Sequence, residues 1–359
     1  MKQIFLLFTL LAMPLSILAQ SAEEKAAIRK ERNSLEISTG IEGTLNNLNN
    51  AWISTSGGDN TISAAATLFL KHKFTKDKLT IESKLTAGYG YYNVRVDRVS
   101  ADGTTYDEAV WYKNQDEFEI NIAPSYTMSK NWSYSANIGF RSQFANGYVS
   151  SSSQESIHLK SGFLAPAYLD VAVGLSYQAP SEKFPIKISL SPLAASGVIV
   201  ANDEIQTNAG YGYSQHTSDN WAYAEAYGVN PNKRSQFDGG SAIQFDFDRT
   251  FGKNATFRYL TSIYSFYGWI TNVAYDNMYT DYAEYQEAAT EYANNGSTGA
   301  APKYAVTPTV RWSNKVEIKA TKYLYTNLNF ELYYDRSQNF SIQTKTILSL
   351  GVSYKFKNK

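Results

Sequence analysis

Apolar and polar residues alternate one by one along many long segments of this chain. In the first segment the apolar side chains share one parity and the polar side chains the other, as in Leu35, Ile37 and Ile41 against Glu36, Ser38 and Glu42. Successive side chains of a β-strand point to opposite faces, so a period of two predicts a strand with one apolar and one polar face. About twelve such segments can be counted, over approximately residues 35–45, 62–74, 79–91, 118–128, 132–144, 167–178, 185–196, 236–248, 255–269, 306–320, 324–335 and 342–356.

The length of these segments indicates a membrane environment. Strands of soluble proteins usually have about five to six residues, whereas a tilted strand that crosses a bilayer needs about nine to eleven. The mean hydropathy is −0.37, and beyond the first 20 residues there is no apolar run long enough for a transmembrane helix. We therefore predict an all-β fold, an antiparallel transmembrane β-barrel of about 12 strands. A secreted β-sandwich or lipocalin-like barrel is the alternative, but so many long strands with polar faces are hard to bury in one soluble core.

The connections between the predicted strands alternate in length. Short connections occur at residues 74–79, 128–132, 179–183, 250–255 and 321–324, and long ones lie between them. Outer-membrane barrels combine short periplasmic turns with long extracellular loops. The alternation predicts periplasmic termini and six extracellular loops, of which residues 199–235 and 270–305 form the longest.

The first residues are typical of a secretory signal peptide. A lysine at position 2 precedes an apolar run over residues 4–18, which ends at Ala19-Gln20. We expect a signal peptide over 1–19, a periplasmic tail over 20–33 and the barrel over 34–359, with export through the Sec pathway to the bacterial outer membrane. The chain has no cysteine, which excludes disulfide bonds.

Composition narrows the choice of partners. The chain has 33 basic and 33 acidic residues, so electrostatics give no reason to expect binding to nucleic acid. Aromatic residues make up 14% of the chain, as expected for the interfacial girdles of a membrane barrel. The predicted partner is the lipid bilayer, with other outer-membrane or surface proteins as further candidates.

Several motifs resemble an uncharacterised family of outer-membrane β-barrel proteins of the Bacteroidota, catalogued as a domain of unknown function. The motifs are Leu45-Asn46-Asn47-Leu48-Asn49-Asn50-Ala51-Trp52, Ser56-Gly57-Gly58-Asp59-Asn60, Gln143-Phe144-Ala145-Asn146-Gly147-Tyr148, Phe163-Leu164-Ala165-Pro166-Ala167-Tyr168-Leu169, Leu190-Ser191-Pro192-Leu193 and Val200-Ala201-Asn202-Asp203-Glu204. The resemblance implies location and architecture. It implies no activity and no catalytic residue.

The polar parity of the strands is expected to line the lumen, with charges of both signs interspersed. Two interpretations remain open, a water-filled pore or a lumen crossed by bracing ion pairs, because twelve strands lie between filled small barrels and open large ones. Lys71 and Lys73 are expected opposite Glu82 and Lys84, and Glu117 and Glu119 within reach of Arg141. The lumen-lining candidates are Glu36, Glu42, Lys71, Lys73, Glu82, Lys84, Glu117, Glu119, Arg141, Asp246, Arg258, Arg311, Glu317 and Glu331.

The two longest loops are rich in aromatic residues. Residues 278–293, followed by Asn294-Asn295-Gly296, predict a short helix with one aromatic stripe. These rings either bind a sugar or another flat ligand by stacking, or pack the loops over the mouth of the barrel. The candidates for contact are Tyr211, Tyr213, Trp221, Tyr223, Tyr282 and Tyr285.

The chain offers little for catalysis. It contains three histidines, of which His72 lies on the outward parity, while His158 and His216 fall in loops without the spacing of a metal site. We therefore predict no enzyme, catalytic residue, metal or cofactor. The function hypotheses are a passive channel for small solutes and, alternatively, a non-transporting barrel subunit or surface scaffold of an outer-membrane complex. A lipid-modifying enzyme that uses His72 is the third and weakest hypothesis.

Overall fold

A computed structural model describes most of the chain after the predicted tail. The described residues are 30–46, 61–100, 102–148, 158–181, 183–213, 216–252, 256–272, 278–296, 298–299, 301–304, 308–335 and 342–358. The predicted signal peptide, the tail up to residue 29 and most of the motif at residues 45–60 lie outside these ranges.

Sixteen strands follow one another in the described ranges. They are β1 (Asn33–Asn46), β2 (Thr61–Lys76), β3 (Leu79–Val99), β4 (Thr105–Thr127), β5 (Trp132–Ser142), β6 (Gly147–Tyr148), β7 (Leu159–Ser161), β8 (Ala167–Gln178), β9 (Ile186–Ile199), β10 (Ser235–Phe251), β11 (Phe257–Tyr267), β12 (Met278–Tyr279), β13 (Lys303–Tyr304), β14 (Thr309–Lys319), β15 (Leu324–Tyr334) and β16 (Gln343–Lys357).

Twelve of these strands form a closed barrel, which confirms the predicted fold. Around the ring the order is β1-β16-β15-β14-β11-β10-β9-β8-β5-β4-β3-β2. All neighbours are antiparallel, and β1 closes the ring by pairing with β16 from Glu36↔Lys357 to Gly43↔Leu350. Closure leaves no exposed strand edge within the ring, as a bilayer requires. The remaining four strands form two small sheets, β6-β7 and β12-β13, in the long loops at one end of the barrel. We call this end extracellular and the other end periplasmic, as predicted from the lengths of the connections.

The outer wall of the barrel is apolar and exposed. On β16, Leu348, Leu350 and Val352 are 62%, 55% and 57% exposed. A continuous surface of this kind is stable only where lipid covers it. Within the described ranges, no helix has the length and apolar character that a membrane span requires.

Three helices lie in the extracellular loops: α1 (Asp203–Gly210), α2 (Trp269–Asn272) and α3 (Tyr282–Asn294). The helix predicted within residues 278–293 is α3, and the Asp281 side chain caps it by accepting from the backbone N–H groups of Ala283 and Glu284. Neither α1 nor α2 was predicted from the sequence. For α1 the available signal was Asn202, which caps the helix in the same way, followed by two acidic residues.

Strands β3 and β4 extend beyond the predicted segments 79–91 and 118–128. Their pairing shifts register at Gly90/Tyr91 and then continues to Val99↔Thr105. A bulge of this kind changes the parity of one strand relative to the other, so the alternation pattern is lost there. Among the described residues, β2 pairs with β3 only up to Asn93, and beyond that point β3 and β4 pair with each other as a two-stranded ribbon.

Candidate functional site

Four charged side chains meet inside the barrel towards its extracellular end. We call Glu117, Glu119, Arg141 and Arg311 the lumen belt. Arg311 Nη2 lies 3.5 Å from Glu119 Oε2 and 3.6 Å from Glu117 Oε1. Arg311 is on β14 and the two glutamates are on β4, six positions away in a ring of twelve strands. These ion pairs therefore span the lumen from one wall to the opposite wall.

Arg141 reinforces the lumen belt from β5. Its Nε lies 3.8 Å from Glu117 Oε1, and its guanidinium lies 4.2 Å from the centroid of the Tyr168 ring. The same guanidinium is 6.0 Å from the ring of Tyr333 on β15, which is also six positions away from β5. The side chains of the lumen belt are 20% to 39% exposed. They therefore cross the lumen and are still in contact with the water inside it.

Nearer the periplasmic end, the charges pair along the wall instead of across the lumen. Glu82 forms ion pairs with Lys71 and with Lys84, each with 2.9 Å between the lysine Nζ and a carboxylate oxygen. Lys73 is directly opposite Glu82 in register, yet the ion pair forms diagonally with Lys71. On the facing wall, Arg258 donates two hydrogen bonds of 2.8 and 2.6 Å to Asp248.

The other lumen candidates also lie on the inward parity. Asp246 accepts a 2.7 Å hydrogen bond from Ser262, and Glu317 pairs with Lys319 at 3.5 Å. Glu331 is directly opposite Lys345 in the register of β15 and β16. All fourteen predicted residues thus line one inner surface, of which the lumen belt is the part that reaches across.

Two glutamates of β1 bind the strands that close the barrel. Glu42 accepts hydrogen bonds from Tyr325 Oη at 3.0 Å and from Asn327 Nδ2 at 2.9 Å, and also from the Ser349 hydroxyl. Glu36 forms ion pairs with Lys355 and, at 3.0 Å, with Lys357. These contacts join the first strand to the last two, so we call them the closing seam.

Small residues leave room on one side of the lumen. Ala172, Ala194 and Ala242 pack with Phe266 and Tyr264 there. A cavity of about 30 Å³ beside them, lined in part by Asn137 and Ser189, has room for about one water molecule. The Tyr264 hydroxyl is buried and has no hydrogen-bond partner within the described ranges, so a water in this cavity would satisfy it.

The long loops at the extracellular end of the barrel pack together around two apolar cores. We call residues 158–165, 200–213, 216–234, 278–296, 298–299 and 301–304 the cap. Its larger core consists of Leu159, Ala165, Val200, Ile205, Ala209, Ala226 and Val229. Asn208 at the centre donates to the Leu159 carbonyl at 2.8 Å and accepts from His216 Nε2 at 2.9 Å. The His216 ring stacks between those of Tyr211 and His158, with centroids 4.3 and 5.2 Å away.

A second core joins the two longest loops. Tyr223 and Tyr285 are buried, and both hydroxyls donate to Glu225, at 3.3 and 2.5 Å. Burial raises the pKa of the Glu225 carboxyl above its ordinary value, although the two hydrogen bonds lower it in part. Of the other aromatic candidates, Tyr213 packs against the larger core, while Trp221 and Tyr282 are 39% and 38% exposed. Most of the predicted rings thus pack the cap, and their contact with a ligand stays a prediction.

A clamp on the outer rim was not predicted from the sequence. The Asp116 carboxylate accepts from the backbone N–H groups of Phe144 and Ala145 at 2.7 and 3.0 Å and from Lys113 at 2.6 Å. Lys113 also donates to the Ala145 carbonyl at 2.8 Å. The segment at residues 143–148, which the family resemblance singled out, is therefore fixed to the outside of β4. The available signal was a carboxylate at Asp116 on the outward parity. Lys113, three residues earlier, reaches the same face because the register shift at Gly90/Tyr91 lies between the two.

Nothing in the described ranges forms a metal centre, since no three His, Asp or Glu side chains meet there. His72, the residue of the enzyme hypothesis, contacts Asn33 Oδ1 at 2.9 Å through its Nε2.

One segment of the chain matches a known protein family. The model of a family described as protein of unknown function (DUF3078) matches residues 44–148, which is less than half of the chain. No curated protein matches the sequence.

Solved structures of similar fold are outer-membrane barrels. The COG4313 outer membrane channel from Pseudomonas putida F1 is 10% identical with a TM-score of 0.35, over 96% of this chain and 99% of that one. The translocator domain of autotransporter NalP from Neisseria meningitidis is 7% identical with a TM-score of 0.33, over 93% and 96%. At such low identities and TM-scores the likeness carries no information about function. The chain is a closed twelve-stranded barrel, of which residues 44–148 match the model of a family of unknown function.

Proposed function

We propose that this protein is a non-transporting outer-membrane barrel that displays a folded extracellular cap, as a subunit or surface scaffold of an outer-membrane complex. The observation that carries the proposal is the ion pair of Arg311 with Glu117 and Glu119 across the full width of the lumen. A passive pore keeps its centre free for solutes, whereas here the charged groups of opposite walls meet. The cap is held by two buried cores, which suits a surface built for protein contacts rather than for gating.

A passive channel for small solutes is the second candidate. The belt side chains are partly exposed, which favours a hydrated lumen on both sides of the belt. Rupture of the Arg311 ion pairs would then open a narrow path. In either case the protein is exported through the Sec pathway and its termini face the periplasm.

Single-channel recording in planar bilayers separates the two candidates. We expect the wild-type barrel to show no steady conductance steps, and Arg311→Ala to show them, because the mutation removes the link between the two walls. The opened lumen is expected to select cations, since Glu117 and Glu119 lose a basic partner.

Arg258→Ala is the matched control. Arg258 also points into the lumen but pairs along the wall with Asp248, so its loss is expected to leave the barrel closed. Steady conductance of the wild type would overturn the closed-barrel proposal and support the channel. Equal conductance of the Arg311 and Arg258 variants would exclude the lumen belt as the barrier.

The scaffold role has its own test. Purification from native membranes under mild detergent is expected to recover the barrel with a second protein, and the Tyr285→Phe variant, with its loosened cap, is expected to recover less of it. Recovery of the wild type as a lone monomer would count against the scaffold.

A further inference from the structure

Arg249 faces away from the lumen near the periplasmic end of β10. Asp246 and Asp248 point inward on this strand, and Arg249 shares the other parity with Phe247 and Phe251. Its partner in register is Tyr259 on β11. An arginine on the lipid-facing wall is costly unless its charge reaches the interface or finds an anion.

The surroundings of Arg249 set it apart from the other arginines whose side chains are described within the barrel and its loops. Its guanidinium lies 4.5 Å from the ring centroid of Phe251 and 5.9 Å from that of Phe184. No carboxylate lies within ion-pair distance of it in the part of the chain that the structure describes. A carboxylate does lie within that distance of each of Arg98, Arg141, Arg234, Arg258 and Arg311.

The position of this cation coincides with the membrane boundary. Phe184 lies in the periplasmic turn between β8 and β9, beside Lys183, and is 61% exposed. The Phe184 ring also contacts Phe247, with centroids 6.4 Å apart, so the aromatic side chains continue along the outer wall. Aromatic and basic residues together at this level are typical of the lipid headgroup region.

The periplasmic turns as a group are basic. Their sequences hold five lysines, Lys78, Lys130, Lys183, Lys253 and Lys322, against two acidic residues, Asp77 and Glu182. The inner surface of the membrane thus meets a rim of positive charge, and Arg249 is the member of this rim that lies on the wall itself, between two rings.

We propose that Arg249, Phe184 and Phe251 form a binding site for a phospholipid of the periplasmic leaflet. The planar guanidinium donates to the phosphate, a geometry that arginine provides and lysine does not. The two phenyl rings hold the guanidinium by cation–π contact and pack against the acyl chains below the phosphate. This site does not depend on whether the lumen is open or closed.

Native mass spectrometry of the detergent-purified barrel, titrated with phosphatidylglycerol, tests the site. Arg249→Gln is expected to bind the lipid about fivefold more weakly than the wild type. This is the change in affinity that corresponds to the loss of one interfacial cation. Arg258→Gln is the matched control, because it removes the same charge one register position away but from the lumen side. Heat-modifiable mobility in gels establishes that both variants are folded.

Two further arms identify the ligand. Diacylglycerol, which lacks the phosphate, is expected to bind equally weakly to the wild type and to Arg249→Gln, and excess inorganic phosphate is expected not to displace phosphatidylglycerol. Complete displacement by inorganic phosphate would replace the lipid site with a simple anion site. Unchanged lipid binding by Arg249→Gln, or an equal loss in Arg258→Gln, would overturn the proposal.

Discussion

The Tyr285 hydroxyl donates a 2.5 Å hydrogen bond to the Glu225 carboxylate, and this contact joins the two longest extracellular loops. Tyr285 comes from α3 in the loop between β11 and β14, whereas Glu225 belongs to the loop between β9 and β10. Because both groups are largely buried, water replaces the lost partner poorly when one of them is removed.

Tyr285→Phe is therefore expected to loosen the cap without unfolding the barrel. A hydrogen bond to a charged group contributes about 1.5–3 kcal/mol, and the local opening free energy of residues 221–229 should fall by about that amount. Hydrogen exchange measures it. Tyr282→Phe is the control, since this exposed hydroxyl bonds to Gln286 within α3, and an equal loss in both variants would contradict the role of the inter-loop contact.

The same carboxyl predicts a pH dependence of the cap. Burial raises the pKa of Glu225 above its ordinary value of 4.5, so the folded cap binds a proton more readily than the open loops do. Glu225 therefore contributes stability that is fully present below pH 4.5 and is lost as the pH rises through the raised pKa of the folded state. Exchange protection of residues 221–229 is expected to fall over this range. In Glu225→Gln this dependence should disappear, and a persistent slope would assign it to another group.

The sequence predicted the barrel because lipid on one side and water on the other impose a parity on every spanning strand. That constraint is local, and Leu348, Leu350 and Val352 obey it without reference to distant residues. This parity constraint does not apply outside the membrane, so neither the β3-β4 ribbon nor α1 was predicted. The same holds for Asp116, whose carboxylate on the outward parity is satisfied by a loop that folds back.

Contacts across the lumen depend on the geometry of the whole ring, which local sequence patterns do not give. Register between neighbouring strands was sufficient to expect Arg141 near Glu117 and Glu119. The contact of Arg311 with Glu119 joins residues 192 positions apart on opposite walls, and it depends on the tilt and width of the whole ring. For the same reason, the alternatives of an open and a braced lumen could not be separated by strand count.

The clamp on the outer rim gives a third prediction. The Asp116 side chain is 1% exposed and satisfies two backbone N–H groups and Lys113, so Asp116→Ala leaves a buried cation without its partner. Breaking a buried pair costs about 3–5 kcal/mol, and we expect most of this loss in the local stability of residues 143–148. Limited proteolysis and hydrogen exchange there provide the measurement. Asp102→Ala, in the exposed tip of the β3-β4 hairpin, should leave this segment protected, and equal cleavage of both variants would refute the clamp.

The closing seam predicts that a substitution in the first strand lowers the stability of the barrel. Glu42 accepts from Tyr325, Asn327 and Ser349, so Glu42→Ala leaves three donors of β15 and β16 without their acceptor. We expect the free energy of unfolding, measured by urea denaturation in vesicles, to fall by about 1–3 kcal/mol. In hydrogen-exchange experiments, the backbone amides of β1 and β16 should exchange first. Glu331→Ala removes a carboxylate from the same wall, opposite the exposed Lys345, and should change stability less. A larger effect of Glu331→Ala would locate the closure elsewhere.

Two inward-facing glycines of the barrel are expected to respond in opposite ways to alanine. At Gly240, a Cβ would lie 1.9 Å from the Tyr267 carbonyl oxygen and 2.8 Å from Gly268 Cα, so the backbone of β11 would have to move. The register shift between Gly240 and Ala242 lies beside this contact, and there Ser241 accepts a 2.8 Å hydrogen bond from Trp269 Nε1 at the start of α2.

We therefore expect Gly240→Ala to lower the free energy of unfolding by about 1–3 kcal/mol, as overpacking does, and to detach α2 from the outer wall. At Gly139 the nearest atoms to a new Cβ are 3.9 Å away, which is an ordinary contact. Gly139→Ala should be neutral or stabilise the strand by about 0.5–1 kcal/mol, because alanine loses less backbone freedom on folding. Urea midpoints of the two variants in vesicles test the pair. Equal midpoints would contradict the prediction. They would mean that the backbone at Tyr267 can move without loss of stability, and that the close approach of β10 and β11 does not hold the bulge in place.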